Sequence, residues 1–151
     1  MNFPILSSLI LLPSIGALFL FFIKNDKGNT ITVRYVALFT SLVNFFLSIY
    51  LWILFDQSSS QFQFVEDRIW INNFINYKVG IDGISILFII LTTFITPLCI
   101  ISVNNSIEDR LSEFLIAILI MESFVIGVFC SLDLVVFYLF FEAGLIPMFL
   151  I

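Results

Sequence analysis

The sequence predicts an all-α polytopic membrane protein with about five transmembrane helices. Of its 151 residues, 61% are hydrophobic and only 11% are charged. Phenylalanine alone occurs 20 times, which is more than the core of one water-soluble domain would hide, so lipid is the expected solvent for the surplus. The apolar residues fall in long runs separated by polar segments, and such runs are typical of helices that cross a bilayer.

Five apolar runs are the predicted membrane spans of a single membrane domain. They cover residues 3–23, 35–55, 84–103, 114–131 and 133–151. Each is about 20 residues long, which at roughly 1.5 Å per helical residue matches a hydrocarbon core about 30 Å thick. Pro13 and Pro97 lie inside the first and third runs and predict kinks. Asp82 directly precedes the third run and is expected to cap its helix.

Small polar residues form one-sided stripes in the second and third runs. In the second run they recur at helical spacing, at Thr40, Ser41, Asn44 and Ser48. In the third run they are Ser85, Thr92, Thr96 and Cys99. In lipid such stripes usually face a neighbouring helix. The polar segment 56–79 separates the two runs, and alternation around a Glu66-Asp67 turn predicts a short β-hairpin there.

Charge and composition exclude several classes of function. The net charge is −5 and the chain has no histidine, so no basic face is available for nucleic acid and no His–Cys cluster could hold a transition metal. Cys99 and Cys130 fall in or beside apolar runs and are interpreted as small hydrophobic residues, not as a disulfide framework. The first run lacks the basic start and the cleavage site of a signal peptide, so it is expected to be retained.

The candidate site is a carboxylate inside the last apolar run. Glu142 lies nine residues after Asp133, a rise of about 13 Å, which is close to the bilayer midplane. Placing an ionisable group there costs about 2.5–3.5 kcal/mol, so a functional role in handling protons or ions is the first hypothesis. Pro147 has no N–H and frees the carbonyl of Ala143 beside it. The alternative is a packing kink next to a neutral, hydrogen-bonded glutamate.

Two further carboxylates flank the turn between the fourth and fifth runs. Glu122 lies ten residues before Leu132 and Glu142 ten after it, so an antiparallel helix pair would hold both at similar depth. Glu122 is a candidate proton relay, and a structural hydrogen bond to a neighbouring helix is the alternative. Asp133 is a weaker candidate that is better interpreted as a helix cap. The positive partners are missing at depth, because all six Lys and Arg residues lie in predicted loops.

The distribution of those basic residues predicts the orientation. The first and third loops carry four of them, and the second loop carries two. The positive-inside rule then places the N-terminus outside and the segment 24–34 in the cytoplasm or matrix.

Three motifs resemble a known family. Gly80-Ile-Asp-Gly-Ile-Ser-Ile-Leu-Phe, Leu91-Thr-Thr-Phe and Phe137-Tyr-Leu-Phe-Phe-Glu-Ala-Gly-Leu-Ile-Pro-Met-Phe look like the M-type antiporter-like subunit 4 of respiratory NADH:quinone oxidoreductase (complex I). The resemblance implies a fourteen-helix fold, of which this chain would be an N-terminal portion and therefore truncated relative to the family. It also implies that Glu142 pairs with a lysine of a later helix and takes part in proton translocation.

The resemblance further implies partners, cofactors and a location. The partners would be the lipid bilayer and other membrane-arm subunits, with a second chain carrying the remaining helices as an open alternative. NADH, FMN, iron–sulfur clusters and quinone would be bound by other subunits, and none by this chain. The membrane would be the mitochondrial inner membrane or, alternatively, a bacterial plasma membrane. Two competing functions stay open: an Mrp-type cation/proton antiporter subunit, and a non-pumping scaffold fragment.

Overall fold

Five helices and one β-hairpin follow one another along the chain. The computed structural model describes residues 4–23, 30–71, 75–103 and 110–151. The helices are α1 (Ile5–Phe22), α2 (Thr30–Leu54), α3 (Gly83–Ser102), α4 (Leu111–Cys130) and α5 (Leu134–Leu150). The hairpin between α2 and α3 comprises β1 (Gln63–Ile71) and β2 (Ile75–Ile81), which pair antiparallel.

Four of the five helices are long and apolar enough to cross a membrane, and α5, with 17 residues, is a shorter apolar helix. This pattern fits the predicted fold class of a polytopic helical membrane protein. Three helices begin earlier than their predicted spans: α2 at Thr30, α4 at Leu111 and, by one residue, α3 at Gly83. Arg34 therefore lies on α2 and not in a loop as predicted, whereas Arg68 and Lys78 lie on the strands of the hairpin between α2 and α3. Residues 24–29 and 104–109, which belong to the predicted first and third loops, lie outside the described part of the chain.

The fourth helix is the centre of the bundle. α4 packs against each of the other four helices and against β2. Small residues permit the closest approaches: a Cβ on Gly127 would lie 2.7 Å from the ring of Phe140 on α5. Among the described elements, α5 packs only on α4 and β2, so most of its surface stays uncovered.

Two apolar clusters fill the bundle at different depths. The first includes Leu6, Leu9, Leu51, Val79, Ile81, Ile86, Ile89 and Ile126, and lies at the end that carries the hairpin. The second includes Ala17, Leu20, Val33, Ala37, Ile100, Leu111, Leu115 and Leu119. On each of the helices α1 to α4, polar residues lie between the members of the two clusters. We call this set the polar layer; it comprises Ser14, Ser41, Asn44, Ser48, Thr93, Thr96, Glu122 and Ser123.

The hairpin exists, but its turn is not where alternation predicted it. Glu66 and Asp67 lie within β1, paired with Val79 and Lys78 of β2. The connection between the strands falls at residues 72–74, which are outside the described part of the chain. The prediction was wrong because it considered only local turn propensity, whereas Glu66 is held in the strand by a distant contact.

That contact is a helix cap supplied from another element. The Glu66 carboxylate accepts hydrogen bonds from the backbone N–H groups of Leu6 (3.1 Å) and Ser7 (3.3 Å) and from the Ser7 hydroxyl. These amides belong to the first turn of α1, where N–H groups lack intrahelical partners and the helix dipole favours an anion. Pro4, which precedes the helix, supplies no side-chain cap. The Tyr77 hydroxyl lies 3.2 Å from Ser7 Oγ and completes the cluster.

The same hairpin is also fixed to the turn between α4 and α5. Leu132 donates its backbone N–H to the carbonyl of Lys78 (2.9 Å), and Val79 forms an isolated bridge with Ser131. A Cβ on Gly80 would lie 2.7 Å from the end of the Leu132 side chain, so the hairpin and the turn pack closely at this point. The start of α1, the hairpin and the α4–α5 turn therefore lie together at one end of the bundle.

Candidate functional site

The polar stripe predicted on α2 faces the neighbouring helices. Ser41, Asn44 and Ser48 are fully buried. Thr40 is half-buried and lies against Gly16 of α1. The prediction of a helix–helix contact surface is confirmed, and the reason is the small size of these residues, which lets the helices approach closely.

The stripe predicted on α3 is only partly right. Thr96 is buried, but Cys99 is exposed. The residue that the prediction missed is Thr93, which is fully buried and whose Oγ1 lies 2.8 Å from Ser48 Oγ on α2. The sequence did contain a signal for Thr93. Buried positions of α3 recur at alternating spacings of three and four residues, at Ile86, Ile89, Thr93, Thr96 and Ile100. Thr93 fits this helical spacing, and Thr92 does not.

Glu122 lies in the polar layer, sealed by the surrounding helices. Its side chain is 2% exposed, and Oε1 accepts a hydrogen bond of 2.8 Å from Nδ2 of Asn44 on α2. Nearby on the same helix, Ser123 accepts a hydrogen bond of 2.8 Å from the Ser14 hydroxyl of α1. The predicted alternative for Glu122, a hydrogen bond to a neighbouring helix, is therefore present in the structure.

Glu142 has the opposite environment. It is exposed on a face of α5 that the other described elements do not cover. It borders an open groove of about 600 Å³ whose lining residues all belong to α5: Leu139, Glu142, Ala143, Leu145, Ile146, Phe149 and Leu150. Tyr138, one turn earlier on α5, is also exposed. Pro147 lies within the helix, so the carbonyl of Ala143 has no N–H partner four residues later.

The structure places Glu122 and Glu142 at similar depth but on different faces. Phe140 of α5 packs on Gly127 of α4. Farther along α5, a Cβ on Gly144 would lie 3.7 Å from the Cβ of Phe124 on α4. These contacts run in opposite chain directions, as the predicted antiparallel pair requires. Glu122, however, is directed to Asn44, whereas Glu142 borders the open groove. Within the described residues, no Lys or Arg pairs with either carboxylate; the ion pair recorded there joins Lys78 and Asp67 at 3.9 Å.

Asp133 and Asp82 cap the helices that follow them. Asp133 Oδ1 accepts hydrogen bonds from the N–H groups of Val135 (2.8 Å) and Val136 (3.3 Å) at the start of α5. Asp82 Oδ1 accepts from Ser85 N (2.7 Å) at the start of α3, and this bond lowers the pKa of Asp82 below its usual value. Across the described ranges, no group of three or more His, Cys, Asp or Glu side chains is placed to hold a metal ion.

Comparison with known proteins decides the family. The chain is 49% identical over 147 residues to NADH-ubiquinone oxidoreductase chain 4 of Marchantia polymorpha, a match that covers 97% of this chain. It is 48% identical over 149 residues to NADH-quinone oxidoreductase subunit M of Rhodobacter capsulatus and 44% identical over 155 residues to subunit M of Rickettsia conorii. No protein-family model matches the chain.

Over nearly its whole length, the chain matches a part of NADH-quinone oxidoreductase subunit 4, also named subunit M. The family resemblance predicted from the three motifs is thereby confirmed. The chain spans about three tenths of the length of these subunit 4/M relatives: 29% of the Marchantia and Rhodobacter proteins and 31% of the Rickettsia protein.

Proposed function

We propose that this chain acts within a membrane-arm subunit of complex I and contributes to proton translocation, coupled to NADH oxidation and quinone reduction in other subunits. Glu142 is the proton-transfer group of this proposal. The observation that carries it is the position of Glu142: a carboxylate in the middle of an apolar helix, on a face that the other described elements leave uncovered.

The depth of Glu142 supports a chemical role. α5 contains no other charged residue between Leu134 and Leu150. A lone carboxylate at such depth is costly in hydrocarbon and is retained where it serves an ion or proton pathway. The freed carbonyl of Ala143 is a further hydrogen-bond acceptor next to it, and unpaired backbone at membrane depth is tolerated where protein or water covers it.

The exposed face of Glu142 supports a partner that carries positive charge. An opposite charge within a few ångströms favours the ionised carboxylate, and its withdrawal favours the protonated form. The resemblance to the family implies a lysine from a later helix as this partner. Movement of that charge toward and away from Glu142 would let the carboxylate release and take up a proton in turn, which is the step that a translocation pathway needs.

The family assignment supports the larger setting. The matched relatives are named as subunits of NADH-ubiquinone or NADH-quinone oxidoreductase, which favours complex I over the Mrp-type antiporter. The redox cofactors would lie in other subunits, and the partners of this chain would be membrane-arm subunits and lipid. The membrane would be the mitochondrial inner membrane or a bacterial plasma membrane. Asp133 then serves α5 as a cap and is not required as a proton carrier.

The proposal is tested by Glu142→Gln in the assembled complex in sealed membranes. Glutamine keeps the size and hydrogen bonding of the side chain but cannot ionise. We expect assembly to be retained, while NADH-driven quinone reduction and proton transfer per complex fall together by at least roughly tenfold, because a positioned proton-transfer group typically contributes 10²–10⁴-fold. Glu142→Asp, which retains the charge, should keep more activity than Glu142→Gln.

The matched control is Glu113→Gln, which neutralises an exposed carboxylate in the first turn of α4. This variant should retain the turnover and proton transfer of the unmodified complex. If Glu142→Gln also showed unmodified turnover and proton transfer, Glu142 would be a structural residue and the proposal would be wrong.

A further inference from the structure

A second carboxylate, Glu122, lies in a closed polar environment that the proposed role of Glu142 does not use. It is 2% exposed, and the polar layer that contains it has an apolar cluster above and below. The polar side chains bonded to one another in this layer are uncharged serine and threonine hydroxyls and the Asn44 amide. No described Lys or Arg pairs with Glu122 to offset a negative charge.

The hydrogen bonding of Glu122 and Asn44 is unbalanced if Glu122 is ionised. One bond joins them, from Asn44 Nδ2 to Glu122 Oε1 at 2.8 Å. The second oxygen of each side chain, Glu122 Oε2 and Asn44 Oδ1, is buried and has no hydrogen-bond partner in the part of the chain that the structure describes. An ionised carboxylate and an amide carbonyl can only accept hydrogen bonds, so these two oxygens could not satisfy each other.

One proton corrects the imbalance. A protonated carboxyl group carries one O–H donor as well as acceptor capacity. With the proton on Oε2, Glu122 donates to Asn44 Oδ1, while Asn44 Nδ2 continues to donate to Oε1. Both orphan oxygens are then used, and no charge is buried. Leaving them unpaired would cost the desolvation of two polar atoms, and leaving Glu122 ionised would bury an uncompensated charge.

We propose that Glu122 binds a proton and retains it, and that the neutral acid and the Asn44 amide form a reciprocal pair that joins α4 to α2. The pair is a proton-binding site distinct from Glu142. Because its proton is committed to Asn44 and the site is closed on all sides, Glu122 positions two helices and does not pass protons along a pathway. This inference does not depend on the proposed role of Glu142.

The test is infrared spectroscopy of the purified membrane protein that contains this chain, at neutral pH. The C=O stretch of a protonated carboxylic acid is resolved from the bands of an ionised carboxylate. We expect Glu122→Gln to remove one protonated-acid band from the spectrum of the unmodified protein, at the lower frequency typical of a hydrogen-bonded acid. Glu113→Gln, the exposed carboxylate on the same helix, should instead remove a carboxylate band and no acid band.

A second variant identifies the partner. Asn44→Leu has a side chain of similar size that neither donates nor accepts, so the acid band of Glu122 should persist and shift to higher frequency. Loss of a carboxylate band in Glu122→Gln would show that Glu122 is ionised and would overturn the proposal. An acid band that does not move in Asn44→Leu would equally overturn it. Should Asn44→Leu fail to fold, the band position in the unmodified protein still distinguishes a bonded acid from a free one.

Discussion

At the scale of single residues, three carboxylates of the same two helices have three different environments. Glu122 is sealed against an amide, Glu142 borders an open groove, and Asp133 accepts two backbone N–H bonds at a helix start. Burial favours the neutral form of a carboxyl group, and hydrogen bonds from N–H groups favour the charged form. The three environments match the roles proposed for these residues: a retained proton for Glu122, proton transfer for Glu142 and a helix cap for Asp133.

The role of Asp133 as a cap leads to a prediction. Asn caps helices about as well as Asp, so Asp133→Asn should leave stability and coupled proton transfer close to those of the unmodified protein. Asp133→Ala should lower stability by about 1 kcal/mol, because the N–H groups of Val135 and Val136 lose their acceptor. Thermal unfolding and coupled turnover of both variants check this. A severe loss of proton transfer in well-assembled Asp133→Asn would make Asp133 part of the proton path.

At the scale of elements, the contact between α4 and α5 depends on one glycine. The ring of Phe140 fills the space where a Gly127 side chain would be, with atoms 2.7–2.9 Å from the position of a Cβ. Gly144, on α5, has its nearest such neighbour at 3.7 Å, which is ordinary contact distance. The two glycines therefore form a matched pair for comparison. At Gly127 the close packing of the helices leaves no space for a side chain, whereas at Gly144 there is space for a Cβ.

This difference predicts opposite results for two identical substitutions. Gly127→Ala should lower stability by roughly 1–3 kcal/mol, because overpacking forces the Phe140 ring or the whole of α5 to move. Gly144→Ala should be neutral or slightly stabilising, since alanine favours the helix and meets no clash. Thermal unfolding of the two variants in the same detergent is the measurement. Equal effects of the two substitutions would contradict the packing described for α4 and α5.

At the scale of the whole molecule, one end of the bundle is tied together by long-range contacts. Glu66 caps α1, and Lys78 and Val79 bind the α4–α5 turn, so the hairpin connects the first helix to the last two. The starts of α1 and α5 therefore share one end with the hairpin, and the start of α4 lies at the other.

This arrangement and the positive-inside rule together predict the topology. In a Cys99→Ser background, which removes the exposed native thiol, Ser59→Cys should react with a membrane-impermeant thiol reagent from the outer side. Glu113→Cys, near the start of α4, should react only from the cytoplasmic or matrix side. Reaction of both positions from the same side would contradict the fold, and the reverse pattern would contradict the predicted orientation.

Local features of this fold could be predicted from the sequence. The helices are predictable because an apolar run about 20 residues long in lipid has to satisfy its backbone within itself. The Asp82 and Asp133 caps are predictable because each bonds an N–H group two or three residues away. The helix α2 begins five residues before its predicted span, because residues 30–34 are helical but too polar to belong to an apolar run.

The sequence by itself thus determined the fold class, the family resemblance and the position of each carboxylate along its apolar run, whereas only the tertiary structure decided which way each one faces. α5 is apolar on every side apart from Glu142, so its sequence contains no periodic signal for its rotation about its own axis. Glu66 is a second example. Local propensity predicts that it lies in a turn, but a hydrogen bond from Ser7 of α1, 59 residues away, holds it in a strand. Contacts between helices distant in sequence settle these rotations and registers, because those contacts alone distinguish otherwise equivalent apolar faces.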